Sequence, residues 1–187
     1  MFIQTEPTPN PATVKFLPGR EVLAQGALDF TDPERARQLS PLAARIFAVG
    51  GVVGVHLGRD FISVTKSEQE DWYLLKPAVL GAIMEHYLSG DPVVAPEALA
   101  EAEPAAGAAE EDETSRRIRE LIETRVRPVV ARDGGDIVFQ GFERGIVYLH
   151  LRGACSGCPS AVITLKNGIE NLLKYYVPEV VEVRAVS

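Results

Sequence analysis

Residues 91–113 read DPVVAPEALAEAEPAAGAAEEDE, a run with no aromatic and no basic side chain. Such a stretch cannot bury enough apolar surface to offset the entropy of ordering it. Pro92, Pro96 and Pro104 stiffen it, and its own charge extends it. It reads as a flexible acidic linker; the alternative, a weak helix over 96–103, is what its alanines and glutamates permit. A linker here leaves residues 1–90 and 114–187 of a 187-residue chain, each enough for one small domain. A large multidomain enzyme is excluded by length.

The charge divides along the same lines. Residues 1–90 carry net −2, residues 91–113 net −8 and residues 114–187 net +3, for −7 in all. A net acidic chain has no general attraction to nucleic acid or to an anionic membrane. No apolar run approaches the roughly 20 residues that cross a bilayer. The start, Met1-Phe2-Ile3-Gln4, has neither a basic nor an apolar leader pattern and is not Arg-rich, so a cytoplasmic protein is expected.

Local patterns predict an α+β fold in both halves. In the first, strands are expected over 2–5, 13–17, 52–57 and 61–65, the last two around a Gly58-Arg59-Asp60 hairpin turn. Ser40-Pro41 is an N-cap followed by proline at the first helical position, so a helix should run over 41–48. A second helix is expected over 72–88, its start blurred by Pro77 and its end marked by Gly90. The sum is a sheet with helices on one face. In the second half, apolar spacing at Ile118, Leu121, Ile122, Arg125 (by its aliphatic stem) and Val129 predicts a helix over 114–130. Strands over 137–142 and 146–151, a helix from Pro159 bounded by Pro178, and a strand over 180–186 complete an α-β-β-α-β unit.

The chain has two cysteines, Cys155 and Cys158, and they share one loop. Two cysteines do not make a disulfide framework. The loop, Leu151-Arg152-Gly153-Ala154-Cys155-Ser156-Gly157-Cys158-Pro159, joins a strand to a helix, and its glycines allow a tight turn. The helix N-terminus and Arg152 favour thiolate over thiol, which suits a metal or cluster ligand. C-x-x-C by itself also serves redox and zinc sites. A thioredoxin-like site usually has proline between its cysteines, and here proline follows the second, as in some ferredoxin runs. Zinc wants four ligands, and His150, the one histidine of this half, reads as a surface strand residue. An iron–sulfur cluster also takes four thiolates. One chain offers two, so a complete cluster needs a two-fold dimer or outside ligands. Two rivals remain: a thiol–disulfide oxidoreductase with Cys155 as nucleophile and Cys158 as resolving thiol, and a dimer stapled by one zinc.

Four stretches of the second half, Arg127-Pro128, Asp133-Gly134-Gly135-Asp136, Leu151 to Ser160 and Leu165-Lys166-Asn167-Gly168-Ile169-Glu170, resemble the C-terminal domain of the NifU family. Gln4 to Pro11 and Phe16-Leu17-Pro18-Gly19 resemble the N-terminal domain of the two-domain Nfu type. The resemblance covers nearly the whole chain except the linker. It implies a non-catalytic iron–sulfur cluster scaffold or carrier. It implies one [4Fe–4S] cluster per homodimer, held by Cys155 and Cys158 of each protomer, with a [2Fe–2S] form left open. It further implies that the cluster comes from an upstream donor and passes to apo iron–sulfur client proteins, with the first domain engaging partners. A bacterial cytoplasmic protein, or a processed form in the mitochondrial matrix, fits this architecture.

Other features point less far. The Asp133–Asp136 run reads as a turn in which glycines supply positive φ and aspartates cap. Gly50-Gly51 lacks the Lys-Ser/Thr of a phosphate loop. Trp72 and Tyr73 form either a docking patch or a half-buried helix end. Arg116, Arg117 and Arg119 make a basic, solvated helix start.

Overall fold

Alternating apolar residues in the first hundred residues build one antiparallel sheet. Its strands are β1 (Gln4–Pro7), β2 (Thr13–Leu17), β3 (Leu28–Phe30), β4 (Val52–Leu57) and β5 (Ile62–Lys66), in the order β1-β2-β5-β4-β3. The register sets Val14 beside Val64, Phe16 and Leu57 beside Ile62, and Phe30 beside Val55. These side chains share one face and form the buried core with α1 (Pro33–Leu39), α2 (Pro41–Phe47) and α3 (Trp72–Ser89). The other face carries Lys15, His56, Phe61 and Ser63, outside that core. The sheet therefore has its helices on one face, as the alternation predicts.

This computed structural model describes residues 1–102 and 112–186. The chain divides into two units, Met1–Ala105 and Ala106–Ser187.

Caps explain the helix boundaries. Ser40 Oγ accepts from Ala43 N at 3.0 Å, Asp71 Oδ1 from Tyr73 N at 2.8 Å, and Gly90 ends α3 at φ 76°. Pro77 lies inside α3 on its exposed side, so the helix passes through it rather than starting there. Two elements, β3 and α1, lie in a stretch with no assignment from sequence. The signal for α1 was present: Asp32 caps Glu34 N at 2.9 Å ahead of Pro33, the same signature as Ser40-Pro41. The first strand sits at 4–7 rather than 2–5.

The stretch expected as linker differs in its first half. Val94 and Ala98 are buried in the first core, and 96–102 form α4 (Pro96–Ala102). Ala95 N donates to Leu39 O at 2.8 Å, Ser40 Oγ to Val93 O at 2.7 Å, and Arg45 pairs with Asp91 at 2.8 Å. Composition averaged over the acidic run hides these few small apolar side chains, which find a core already built. Residues 103–111, the rest of the expected linker, lie outside the described residues.

The second unit runs α5 (Glu113–Leu121), a π-turn (Ile122–Val126), α6 (Arg127–Arg132), β6 (Gly135–Glu143), β7 (Ile146–Gly153), α7 (Pro159–Tyr176) and β8 (Glu182–Val186). β6 and β7 form a hairpin whose turn residues Arg144 (φ 52°) and Gly145 (φ 80°) both take positive φ. β8 lies parallel to β7, which α7 makes possible as the crossover. The expected α-β-β-α-β order stands, with one correction. The buried stripe of the first helix is Ile118, Ile122, Val126 and Val130, while Val129 is 55% exposed. A spacing of four drifts about 120° over twelve residues of α-helix. The wider π-turn absorbs that drift and keeps all four side chains on the core.

Candidate metal centre

The cysteine loop rests on the turn that joins α6 to β6. Gly134 takes φ 77°, and its carbonyl accepts from Ala154 N at 3.1 Å. Gly135 has an ordinary backbone but no room: a Cβ there would clash with Cys155 Sγ and lie 3.1 Å from Arg152 O. One glycine thus supplies conformation and its neighbour supplies space. The loop then tightens on itself, with Cys155 N donating to Arg152 O at 3.3 Å and Ser156 N to Gly153 O at 3.1 Å. Gly153 (φ 61°) and Gly157 (φ 83°) carry the remaining left-handed turns.

The two thiols are brought onto one loop but into different surroundings. Cys155 is 7% exposed and belongs to the second core. Burial pushes its thiol up to about 12, and Asp133 and Asp136 push in the same direction. The expectation of a thiolate-favouring site therefore does not hold for Cys155 in this form of the chain. Desolvation and two carboxylates outweigh the helix terminus. Cys158 is half-exposed at the N-cap of α7, its Sγ 3.4 Å from Ser160 Oγ. Neither cysteine is in a disulfide.

Sequence reasoning placed the aspartates as turn caps, and the structure gives Asp136 another partner. Arg127 Nε and Nη2 donate to its two carboxylate oxygens at 2.8 and 3.1 Å, and Arg127 Nη1 donates to Glu123 at 2.7 Å. This bidentate pair is largely buried, with the Asp136 side chain 8% exposed. It ties the helix carrying Arg127 to the residue after Gly135, the floor of the Cys155 sulfur. Arg127 and Asp136 lie nine residues apart, and that distance gave no sequence signal of contact.

Among the other candidates, His150 is a half-buried strand residue opposite Val138 and Val186, as expected from sequence. Among the described residues, no group of three His, Cys, Asp or Glu is placed to hold a metal ion. The described donor set at this loop is two sulfurs, which is half of what a tetrahedral zinc site or a cluster requires.

Comparison with known proteins places both units. Residues 3–90 match the family model described as scaffold protein Nfu/NifU N terminal, and residues 118–184 match the NifU-like domain. The chain is 50% identical over 187 residues to the human NFU1 iron-sulfur cluster scaffold homolog, mitochondrial, covering 100% of this chain and 72% of that protein. It is 49% identical over 190 residues to the protein of the same name from Drosophila sechellia, of which it spans 65%. Among solved structures, a NifU-like protein from Saccharomyces cerevisiae is 25% identical, covers 51% of this chain and 86% of its own, and superposes with a TM-score of 0.46.

Proposed function

Because the chain belongs to the Nfu/NifU family of iron–sulfur cluster scaffold proteins, we propose that it carries one [4Fe–4S] cluster between two copies. Cys155 and Cys158 of each copy hold the cluster, and the chain hands it on to apo-proteins. The observation that carries this reading is the donor count at the loop: two thiols outside any disulfide, four ligands needed, and no further group gathered among the described residues. The role is that of a scaffold rather than an enzyme, in keeping with the names of its relatives. No helix of the described residues is long and apolar enough to cross a membrane. The relatives are named mitochondrial, and a matrix location for this chain is part of the proposal.

The unequal burial of the two thiols supports different parts for them. Cys158, half-exposed at the helix start, is the sulfur that an incoming cluster or client meets first. Cys155 binds only after its proton leaves and the loop lets the sulfur face outward from the core. When client thiolates displace the cluster, Cys155 takes a proton back and returns to its apolar seat against Gly135. The apo form is favoured by that burial, so release is easier than from a site built to hold thiolate.

Anaerobic reconstitution with iron and sulfide, followed by native mass, tests the proposal. A bridging [4Fe–4S] cluster requires about two irons and two sulfides per chain, on a dimer. Cys155→Ala and Cys158→Ala should each abolish uptake while leaving the far-UV spectrum unchanged. About one iron per chain would indicate a bridging [2Fe–2S] cluster. No iron, with thiols that turn over in a glutathione-linked reductase assay, would replace the carrier reading with the oxidoreductase.

A further inference from the structure

The Cys155 sulfur sits in the core of the second unit, and two features of the fold keep it there. The first is Gly135. Its φ is not positive, so the backbone makes no demand that only glycine meets. What the missing Cβ supplies is space. A Cβ at 135 would overlap Cys155 Sγ and stand 3.1 Å from both Cys155 Cβ and Arg152 O, and a packed interior has no room to absorb it. Gly141, on the same strand, has nothing within 4 Å of a built Cβ. Of these two glycines, only Gly135 is placed where a sulfur needs the room.

The second feature is a clamp. Gly135 pairs with Gly153 at the last position of the β6–β7 ladder, so neither residue brings a side chain that could hold that end. Asp136 comes next, and its carboxylate accepts two bonds from Arg127 of α6, at 2.8 and 3.1 Å. Arg127 also donates to Glu123 in the π-turn at 2.7 Å. The π-turn, α6 and β6 are thus tied together at the residue beside the floor of the sulfur. A buried ion pair adds little stability, since apolar side chains of similar volume serve a fold as well or better. What it does supply is direction, because a fork-to-carboxylate contact holds both partners in one geometry. A loop that only displayed two thiols would need neither the space at Gly135 nor the clamp beside it.

We infer that Gly135 and the Arg127–Asp136 pair are positioning residues: together they hold the Cys155 sulfur in its inward seat and so set how readily a bound cluster is released. This rests on the carrier reading above and adds to it residues other than the cysteines. Release exchanges one iron–sulfur bond for another. A client thiol gives up its proton and bonds to iron, the bond from Cys155 to iron breaks, and the proton ends on Cys155; no electron moves. The seat stabilises the side of that exchange on which Cys155 has left iron and turned inward. A state that binds only after leaving a preferred conformation binds more weakly, in proportion to how rarely it is open.

The full chain without metal tests the seat by itself. In the parent, iodoacetamide should label Cys158 roughly tenfold faster than Cys155 or more, and in Gly135→Ala, which pushes the sulfur out, that ratio should fall below about three. Gly141→Ala makes the same change on the same strand where there is room. Leu173→Ala weakens the same core toward the far end of α7. Both should keep the parental ratio. Arg127→Met with Asp136→Leu removes the clamp and leaves no buried charge. In that variant the Ala154 amide, which donates to Gly134 O in the parent, should exchange with deuterium roughly tenfold faster, while the Leu149 amide in β7 keeps its parental rate. After anaerobic reconstitution with iron and sulfide, excess glutathione serves as the accepting thiol. Cluster absorbance should then decay roughly threefold more slowly in Gly135→Ala than in the parent. A parental labelling ratio in Gly135→Ala, or Ala154 and Leu149 amides accelerated alike in the paired variant, overturns the seat. Parental decay in a Gly135→Ala chain whose Cys155 labels fast overturns its link to release. A parent that takes up no iron sinks the carrier reading and the release role with it, and the metal-free measurements still decide whether the seat exists.

Discussion

Cys155 and Cys158 are three positions apart and should not react alike. Cys155 is 7% exposed, with its thiol pushed up to about 12, whereas Cys158 stands half-exposed at a helix start. Iodoacetamide at pH 8, read by peptide mass, should therefore label Cys158 at least tenfold faster. Equal rates would mean that the loop opens freely in solution. A second residue sets a pH limit on the first unit. His86 is fully buried, and neither ring nitrogen has a hydrogen-bond partner among the described residues. Burial first, and Arg45 second, lower its pKa from 6.5. The unfolded chain thus binds this proton more readily than the folded one. Stability is complete above pH 6.5 and is lost as the pH falls below it toward the lowered folded value. The unfolding midpoint of the first unit should drop between pH 7 and pH 5. In His86→Phe, which buries a ring of similar size with no proton to accept, that drop should shrink; an unchanged slope would place the acid sensitivity elsewhere.

At the scale of elements, the π-turn is the feature that lets the first helix of the second unit keep its core face. The buried residues 118, 122, 126 and 130 are spaced by four, and Thr124, in the middle of the turn, is exposed. Deleting Thr124 brings the last two buried positions one residue closer, which is the spacing of a regular amphipathic helix. The variant should fold with a midpoint within a few degrees of the parent. Inserting alanine after Thr124 instead rotates Val126 and Val130 by about a further 100°. Losing that burial should lower the midpoint by on the order of 10 °C. Equal effects of the two changes would mean that the turn is incidental. The same helix carries Arg127 at its π-turn junction, so its register also decides whether the guanidinium reaches Asp136 beneath the cysteine loop.

At the scale of the whole molecule, two separate cores predict two separate unfolding events. Phe16 is fully buried in the first and Leu173 in the second. Phe16→Ala should cost about 3–5 kcal/mol and Leu173→Ala about 2–5 kcal/mol, each in its own transition. Calorimetry of the two variants should show one peak moving while the other holds. If either substitution shifts both peaks together, the units are energetically coupled.

Much of this was legible in the residues themselves. The hairpins, the capped helix at Ser40, the α-β-β-α-β order and the paired cysteines before a helix are local patterns, and local patterns are written in consecutive residues. The run of 91–113 was read by composition, and composition cannot see that Val94 and Ala98 have a finished core within reach. Periodicity assumed an ideal helix and so put Val129 rather than Val126 on the buried face. The choice of the two candidate sulfur ligands needed only the sequence, because the chain has no other cysteine. Their inequality needed the tertiary structure. The seat of Cys155 is made by Gly135, Asp133 and Asp136, about twenty residues upstream in the chain, and desolvation is a property of what packs around an atom rather than of its neighbours along the backbone.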